Sequence, residues 1–169
     1  MDSADEIPVN ARPPRERPTF LHDETPVDAT QAATGANHKI LIVDDDPIVV
    51  RAFELKLKRC GFNVITTTDF TQGISAARRE KPEVIILDLN FPPGESFTSL
   101  NWNGLHILQW LKRYNEVSNI PVIIVTAGDP GNSKDAALSA GAAAFFQKPV
   151  DLKTFLAELL KLISDKPRA

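Results

Sequence analysis

From Lys39 onward, short apolar runs alternate with longer stretches in which apolar residues recur every three or four positions. The run KILIV, Lys39 to Val43, is apolar and β-branched and predicts a strand buried on both faces. Asp46-Pro47 then opens a helix, with Asp46 as N-cap and Pro47 at the first helical position. Val49, Val50, Phe53 and Leu57 are spaced for its inner face, and Gly61 lies where a C-terminal glycine belongs. NVITT, Asn63 to Thr67, predicts a second strand, followed by a helix from Phe70 to Glu80 that Gly73 weakens. VIIL, Val84 to Leu87, predicts a third strand that stops at Asp88. A helix from Gly104 to Tyr114 sets Leu105, Leu108 and Leu111 on one side. Pro121 to Val125 is a fourth strand ending at Thr126, and Ser133 to Ala140 a short helix of small residues. Ala143 to Phe146 is a short fifth strand ahead of Lys148-Pro149. Asp151 caps a last helix bearing Leu152, Phe155, Leu156, Leu159, Leu160 and Ile163.

Strands and helices alternating five times imply parallel pairing through right-handed crossovers. The expected fold is α/β: a flavodoxin-like, doubly wound, five-stranded parallel sheet of order 2-1-3-4-5 with five helices. In such sheets the functional crevice lies beyond the carboxyl ends of the strands, where the strand order reverses. Any chemistry should therefore follow directly on the strands.

Composition changes this reading at one end only. The 169 residues are 43% hydrophobic and 24% charged, ordinary for one globular domain. Residues 1–38, however, hold five of the 13 prolines, with seven acidic and three basic residues. The formal net charge of −3 thus arises in this segment, and the remainder is close to neutral. The segment shows no helix or strand periodicity and few large apolar residues, so residues 1–37 are expected to be a disordered, Pro-rich acidic extension. Its simplest role is solubilising, with tethering a partner as the alternative. The domain is expected over residues 38–165, with 166–169 as a short tail. The charge gives no basic footprint for nucleic acid. No apolar run approaches the roughly 18–20 residues that cross a bilayer. The N-terminus has no secretory pattern, consistent with a cytoplasmic protein. A single cysteine, Cys60, excludes an intramolecular disulfide framework.

The chemistry does sit at the strand ends. Asp44-Asp45-Asp46 follows the first strand and Asp88 the third, Thr126 ends the fourth, and Lys148 follows the fifth. Clustered carboxylates repel one another and are stabilised by a bound cation. Oxygen donors without His or Cys favour Mg²⁺, or Mn²⁺, over zinc. Carboxylates, one hydroxyl and one ammonium suit phosphoryl transfer, which needs positioning and charge neutralisation plus one nucleophilic oxygen.

The motifs ILIVDDDP, ILDLNFP, VIIVTAGD and FFQKPV, in this order and at matching strand ends, resemble the response regulator receiver domain, the CheY-like family of two-component signalling. The resemblance spans about residues 38–164. It implies that Asp88 is the phosphoacceptor, attacking a phosphohistidine to form an acyl phosphate. It implies Mg²⁺ bound by Asp45 and Asp88 directly, by Asp44 through water and by the backbone carbonyl of Asn90. Thr126 resembles the switch hydroxyl, with Ala127 beside it at the phosphate. Lys148 resembles the lysine that pairs with Asp88, Phe145 the switch aromatic, and Pro149 the residue after a cis peptide bond. The implied role is a phosphoacceptor rather than an enzyme. The implied partners are a histidine kinase or histidine phosphotransfer protein, a downstream protein target, and a second copy through the helix from Ser133 and the last helix. With residues 165–169 left after the last helix, the expectation is a stand-alone receiver working through protein–protein contacts, or a receiver cut from a longer protein.

Several residues have plainer readings. Asp46 and Asp151 are helix caps. His106 has no second histidine to pair with, and His22 and His38 carry no signal. Cys60 is a small buried apolar residue. Three departures from the family pattern stand out. The stretch PPGESFTSLNWNG is longer than the usual receiver loop, so residues 93–103 are either an inert insertion or a lid or partner contact using Phe97 and Trp102. Gly128, two residues after Thr126, leaves room for water and predicts moderate to fast self-dephosphorylation. Phe145, unlike tyrosine, has no hydroxyl, so switching would rest on packing alone. Two other classes compete: a receiver-fold adaptor that is never phosphorylated, and a haloacid-dehalogenase-like phosphatase. The phosphatase wants a carboxylate where Asn90 stands.

Overall fold

The computed structural model describes residues 21–22, 37–90, 104–128 and 130–165. A short strand β1 (Leu21–His22) precedes β2 (Lys39–Val43), α1 (Pro47–Arg59), β3 (Asn63–Thr67), α2 (Phe70–Glu80) and β4 (Val84–Leu87). Then come α3 (Gly104–Arg113), β5 (Val122–Thr126), α4 (Pro130–Ser139), β6 (Ala144–Gln147), β7 (Val150–Asp151) and α5 (Leu152–Ser164). Five strands form one parallel sheet in the order β3-β2-β4-β5-β6. Counting only these five in chain order, that is the expected 2-1-3-4-5.

The sheet strands are continuously apolar because both faces are covered. Ile40 and Ile42 face the α1 and α5 side, packing with Phe53, Leu57 and Phe155. Leu41 and Val43 face the other side, with Ile107, Leu108 and Leu111 of α3. Phe53 and Phe155 meet edge to face at 5.5 Å between ring centres. Each such fully buried side chain contributes roughly 1.5–3 kcal/mol. Cys60 lies in this core, as its small apolar character predicts.

The helix ends follow their predicted chemistry. Asp46 accepts hydrogen bonds from the Ile48 and Val49 amides, and Asp151 from that of Thr154. Asp69 caps α2 in the same way through Gln72. Gly61, with φ of 88°, turns the chain out of α1 in a conformation that favours glycine. α4 begins at Pro130, three residues earlier than the sequence pattern indicates. Proline at the first helical position explains the earlier start.

One element has no hydrophobic signature. β1 pairs in parallel with β7, Leu21 opposite Val150 and His22 opposite Asp151. A two-residue strand is too short to show periodicity, so nothing in the composition of the N-terminal segment announces it. The rest of the expected extension, the loop 93–103 with Phe97 and Trp102, and residues 166–169 lie outside the described residues. Among the described residues, no helix is long and apolar enough to cross a membrane.

Candidate functional site

Strand register brings the candidate residues to one edge. Val43 lies opposite Leu87, Leu87 opposite Ile124, and Thr126 opposite Gln147. The residues that follow these positions therefore emerge at the same end of the sheet. The turn is fixed by backbone bonds: the Asp44 amide donates to the Thr67 carbonyl, that of Asp88 to Val43, and that of Lys148 to Thr126. The Lys148–Pro149 peptide is cis, as the family resemblance implies.

Asp44, Asp88 and Thr126 are all buried, an unusual burden of polar groups for the end of an apolar sheet. Each is partnered. Lys148 reaches both carboxylates, donating from Nζ to Asp44 Oδ2 at 2.6 Å and to Asp88 Oδ2 at 2.8 Å. The other oxygen of Asp44 accepts from the Asp46 amide at 3.0 Å, and that of Asp88 from the Asn90 amide at 3.0 Å. Thr126 Oγ1 faces the Gly128 amide at 3.5 Å. Asp45 is half-buried beside them.

The electrostatics follow from this geometry. Burial pushes the Asp44 carboxyl above the usual range, although its bond to Lys148 pulls it back. Burial also raises Asp45, with the charge of Asp88 adding to the effect. Burial pulls the Lys148 ammonium down, but bonds to Asp44 and Asp88 outweigh it, so Lys148 titrates above its ordinary value. The lysine is accordingly held charged between two carboxylates.

Asp44, Asp45 and Asp88 each offer a carboxylate oxygen, all within 4.8 Å of one another. Oxygen donors from aspartates alone fit a hard divalent cation such as Mg²⁺. Three carboxylates facing one ammonium also leave negative charge for a cation to neutralise.

The remaining candidates surround this cluster. Ala127 is exposed at the rim, and so is Asn90. The Asn90 amide group lies 3.6 Å from where a side chain on Gly128 would begin, so the two positions face each other across the mouth. Phe145 is half-buried, opposite Ile124 on the neighbouring strand and packed against the α3 side of the core. His106 is exposed on α3.

Two features escape the sequence reading. Lys148 was expected to pair with Asp88, and its shorter contact is to Asp44. Gly104 opens α3 directly against the phosphoacceptor candidate. A Cβ there would lie 2.3 Å from Leu89 Cα and 2.6 Å from the Asp88 carbonyl oxygen. The Gly104 amide also donates to the Leu89 carbonyl at 3.0 Å. Its signal was available only as a glycine at a helix start, where a close backbone approach is one reading among several.

Known proteins resemble the chain over this same region. The response regulator receiver domain matches residues 40–160. PilH of Pseudomonas aeruginosa is 35% identical over 118 residues, which is 70% of this chain and 91% of PilH. The probable transcriptional regulatory protein TcrX of Mycobacterium tuberculosis is 30% identical over 131 residues, 78% of this chain. That match covers 52% of TcrX, so the chain spans about half of that relative's length. The solved structure of Vibrio cholerae chemotaxis protein CheY4 shares the fold, with a TM-score of 0.65 at 23% identity. That alignment covers 75% of this chain and 99% of CheY4.

Proposed function

The chain belongs to the response regulator receiver domain family, and on that premise we propose that Asp88 accepts a phosphoryl group from a phosphohistidine. The family is one of signalling phosphoacceptors rather than classical enzymes. The observation that carries the proposal is Lys148, held charged within 2.8 Å of Asp88 at the edge where Asp44, Asp45 and Thr126 converge. The donor is a histidine kinase or a histidine phosphotransfer protein, and the output is a changed protein–protein contact.

An Asp88 carboxylate oxygen attacks phosphorus, forming a P–O bond as the P–N bond of phosphohistidine breaks. The departing imidazole nitrogen keeps the electron pair and takes a proton from solvent. Asp44, Asp45 and Asp88, with the Asn90 carbonyl, would hold Mg²⁺, which supplies charge neutralisation for the transferring phosphoryl group. Lys148 stays protonated and neutralises a phosphoryl oxygen, shifting its contact away from the Asp88 carboxylate. The Thr126 hydroxyl, whose oxygen faces the Gly128 amide, donates a hydrogen bond to a second phosphoryl oxygen. The acyl phosphate carries roughly −1.5 to −2 of charge in place of the single charge of the Asp88 carboxylate. Movement of Thr126 opens space for Phe145, which re-packs without a hydroxyl to anchor it. The equilibrium shifts only by as much as the phosphoryl group favours the switched state.

Beryllofluoride with Mg²⁺ tests this reading and separates it from the adaptor alternative. Saturable binding by the wild-type protein, abolished by a chelator and by Asp88→Ala, is expected. An intact fold that takes up no beryllofluoride would leave the adaptor reading in its place. Steady turnover of phosphate esters would favour the phosphatase.

A further inference from the structure

The parallel ladder between β1 and β7 joins the N-terminal segment to the stretch of chain that carries Lys148. Val150 and Asp151, opposite Leu21 and His22, lie two and three residues past that lysine. The same stretch is held from three other sides. The Lys148 amide is tied to the Thr126 carbonyl at 2.8 Å. Val150 is buried in the core on the α1 and α5 side. Asp151 caps α5 through the Thr154 amide. What the ladder adds is a fourth hold, on the backbone edge, supplied by a segment that ends at His22, ahead of the first strand of the main sheet at Lys39.

We propose that β1 is a regulatory clasp: an intramolecular strand that pre-orders the Lys148–Asp151 stretch and whose engagement is coupled to the charge carried at Asp88. The proposal rests on the reading of Asp88 as phosphoacceptor and adds a control element to it. Lys148 is the physical link. Its ammonium contacts Asp88 and Asp44 at one end, and its backbone leads directly into the clasped residues at the other. More negative charge at Asp88 draws the ammonium harder and restrains the backbone that β1 grips. Conversely, a clasped backbone leaves less freedom to be lost when Lys148 engages a phosphoryl group. The coupling is reciprocal by linkage: whatever Asp88 does to the clasp, the clasp does to Asp88. A two-residue ladder rests on few hydrogen bonds and belongs to the least stable part of a fold. Small couplings therefore suffice to shift it.

The test uses the full chain, with Leu21→Pro/His22→Pro as the clasp variant. Proline removes the backbone donors of β1 and touches nothing in the main sheet. Amide hydrogen exchange at Val150 and Asp151 should be at least threefold faster in this variant. In the wild type, beryllofluoride with Mg²⁺ should slow exchange there at least threefold, and Asp88→Asn should speed it. The beryllofluoride midpoint should be at least threefold higher in the clasp variant. Equal exchange in wild type and clasp variant would overturn the proposal, since the ladder would then be absent in solution. Exchange that differs but ignores Asp88→Asn, or an unchanged midpoint, would overturn the coupling. Failure of the wild type to bind beryllofluoride would instead strike the phosphoacceptor reading, and the Asp88→Asn arm would still decide the clasp.

Discussion

Lys148 and Asp44 make a buried charged contact of 2.6 Å, and Asp88 shares the same ammonium. One cation cannot neutralise three carboxylates, so the site is electrostatically unfinished without a metal. Asp45 shows the consequence. Its pKa is raised, chiefly by burial. A raised carboxyl favours the fold below the usual carboxylate pKa, and that contribution is lost as pH rises through the raised value. At pH 7 the ionised Asp45 therefore opposes folding. Metal-free Asp45→Asn should melt a few degrees higher than the wild type at pH 7. The gain should vanish below the usual carboxylate pKa, and Mg²⁺ should raise the melting temperature of the wild type more than that of the variant. A second prediction concerns lifetime. A Cβ on Gly128 would lie 3.6 Å from the Asn90 amide and 3.9 Å from Thr126 Oγ1, ordinary contact distances. Gly128→Ala should therefore fold unchanged, narrow the mouth to water and slow loss of the phosphoryl group several-fold, read as decay of phosphoprotein. The wild type is expected to lose it at a moderate to fast rate.

At the scale of elements, each strand delivers its residue because the next element starts promptly and in a fixed place. α1 is capped by Asp46, the residue after the acidic pair, so Asp44 and Asp45 sit at a rigid junction. α3 is fixed differently, by the absence of a side chain. Gly104 lets its first turn press on the backbone of Asp88 and Leu89. Gly104→Ala should cost about 1–3 kcal/mol through overpacking, measured by denaturant unfolding. It should also lower the rate of phosphorylation from a small donor, because the displaced backbone belongs to Asp88. Much of this level was legible in advance. The apolar runs KILIV, VIIL and VIIVT, and the capping pairs Asp46-Pro47 and Asp151-Leu152, locate strands and helices by composition alone. α4 was legible less well, since Pro130–Ser139 contains almost no apolar stripe to phase. β1 was not legible at all: two residues gripped by backbone bonds leave no mark in side-chain pattern.

For the whole molecule, the strand order was legible because parallel sheets obey handedness and switch-point rules, and these place Asp44, Asp88, Thr126 and Lys148 at one edge. The roles of these residues came from the order of four motifs together, each weak alone. What the sequence did not disclose is how Lys148 divides itself between Asp44 and Asp88, or that Gly104 lies against the Asp88 backbone, since both depend on packing at ångström scale. Net charge was the least informative global quantity. The overall −3 reflects the first 38 residues, while the acidity that matters is three carboxylates within 4.8 Å. The central claim is that one of these three becomes covalently phosphorylated. Its most direct test is intact-mass measurement after incubation with acetyl phosphate and Mg²⁺. The account predicts addition of one phosphoryl group to the wild type, dependent on the metal and absent from Asp88→Ala. Equal phosphorylation of Asp88→Ala, or none in a folded wild type supplied with Mg²⁺, would contradict it.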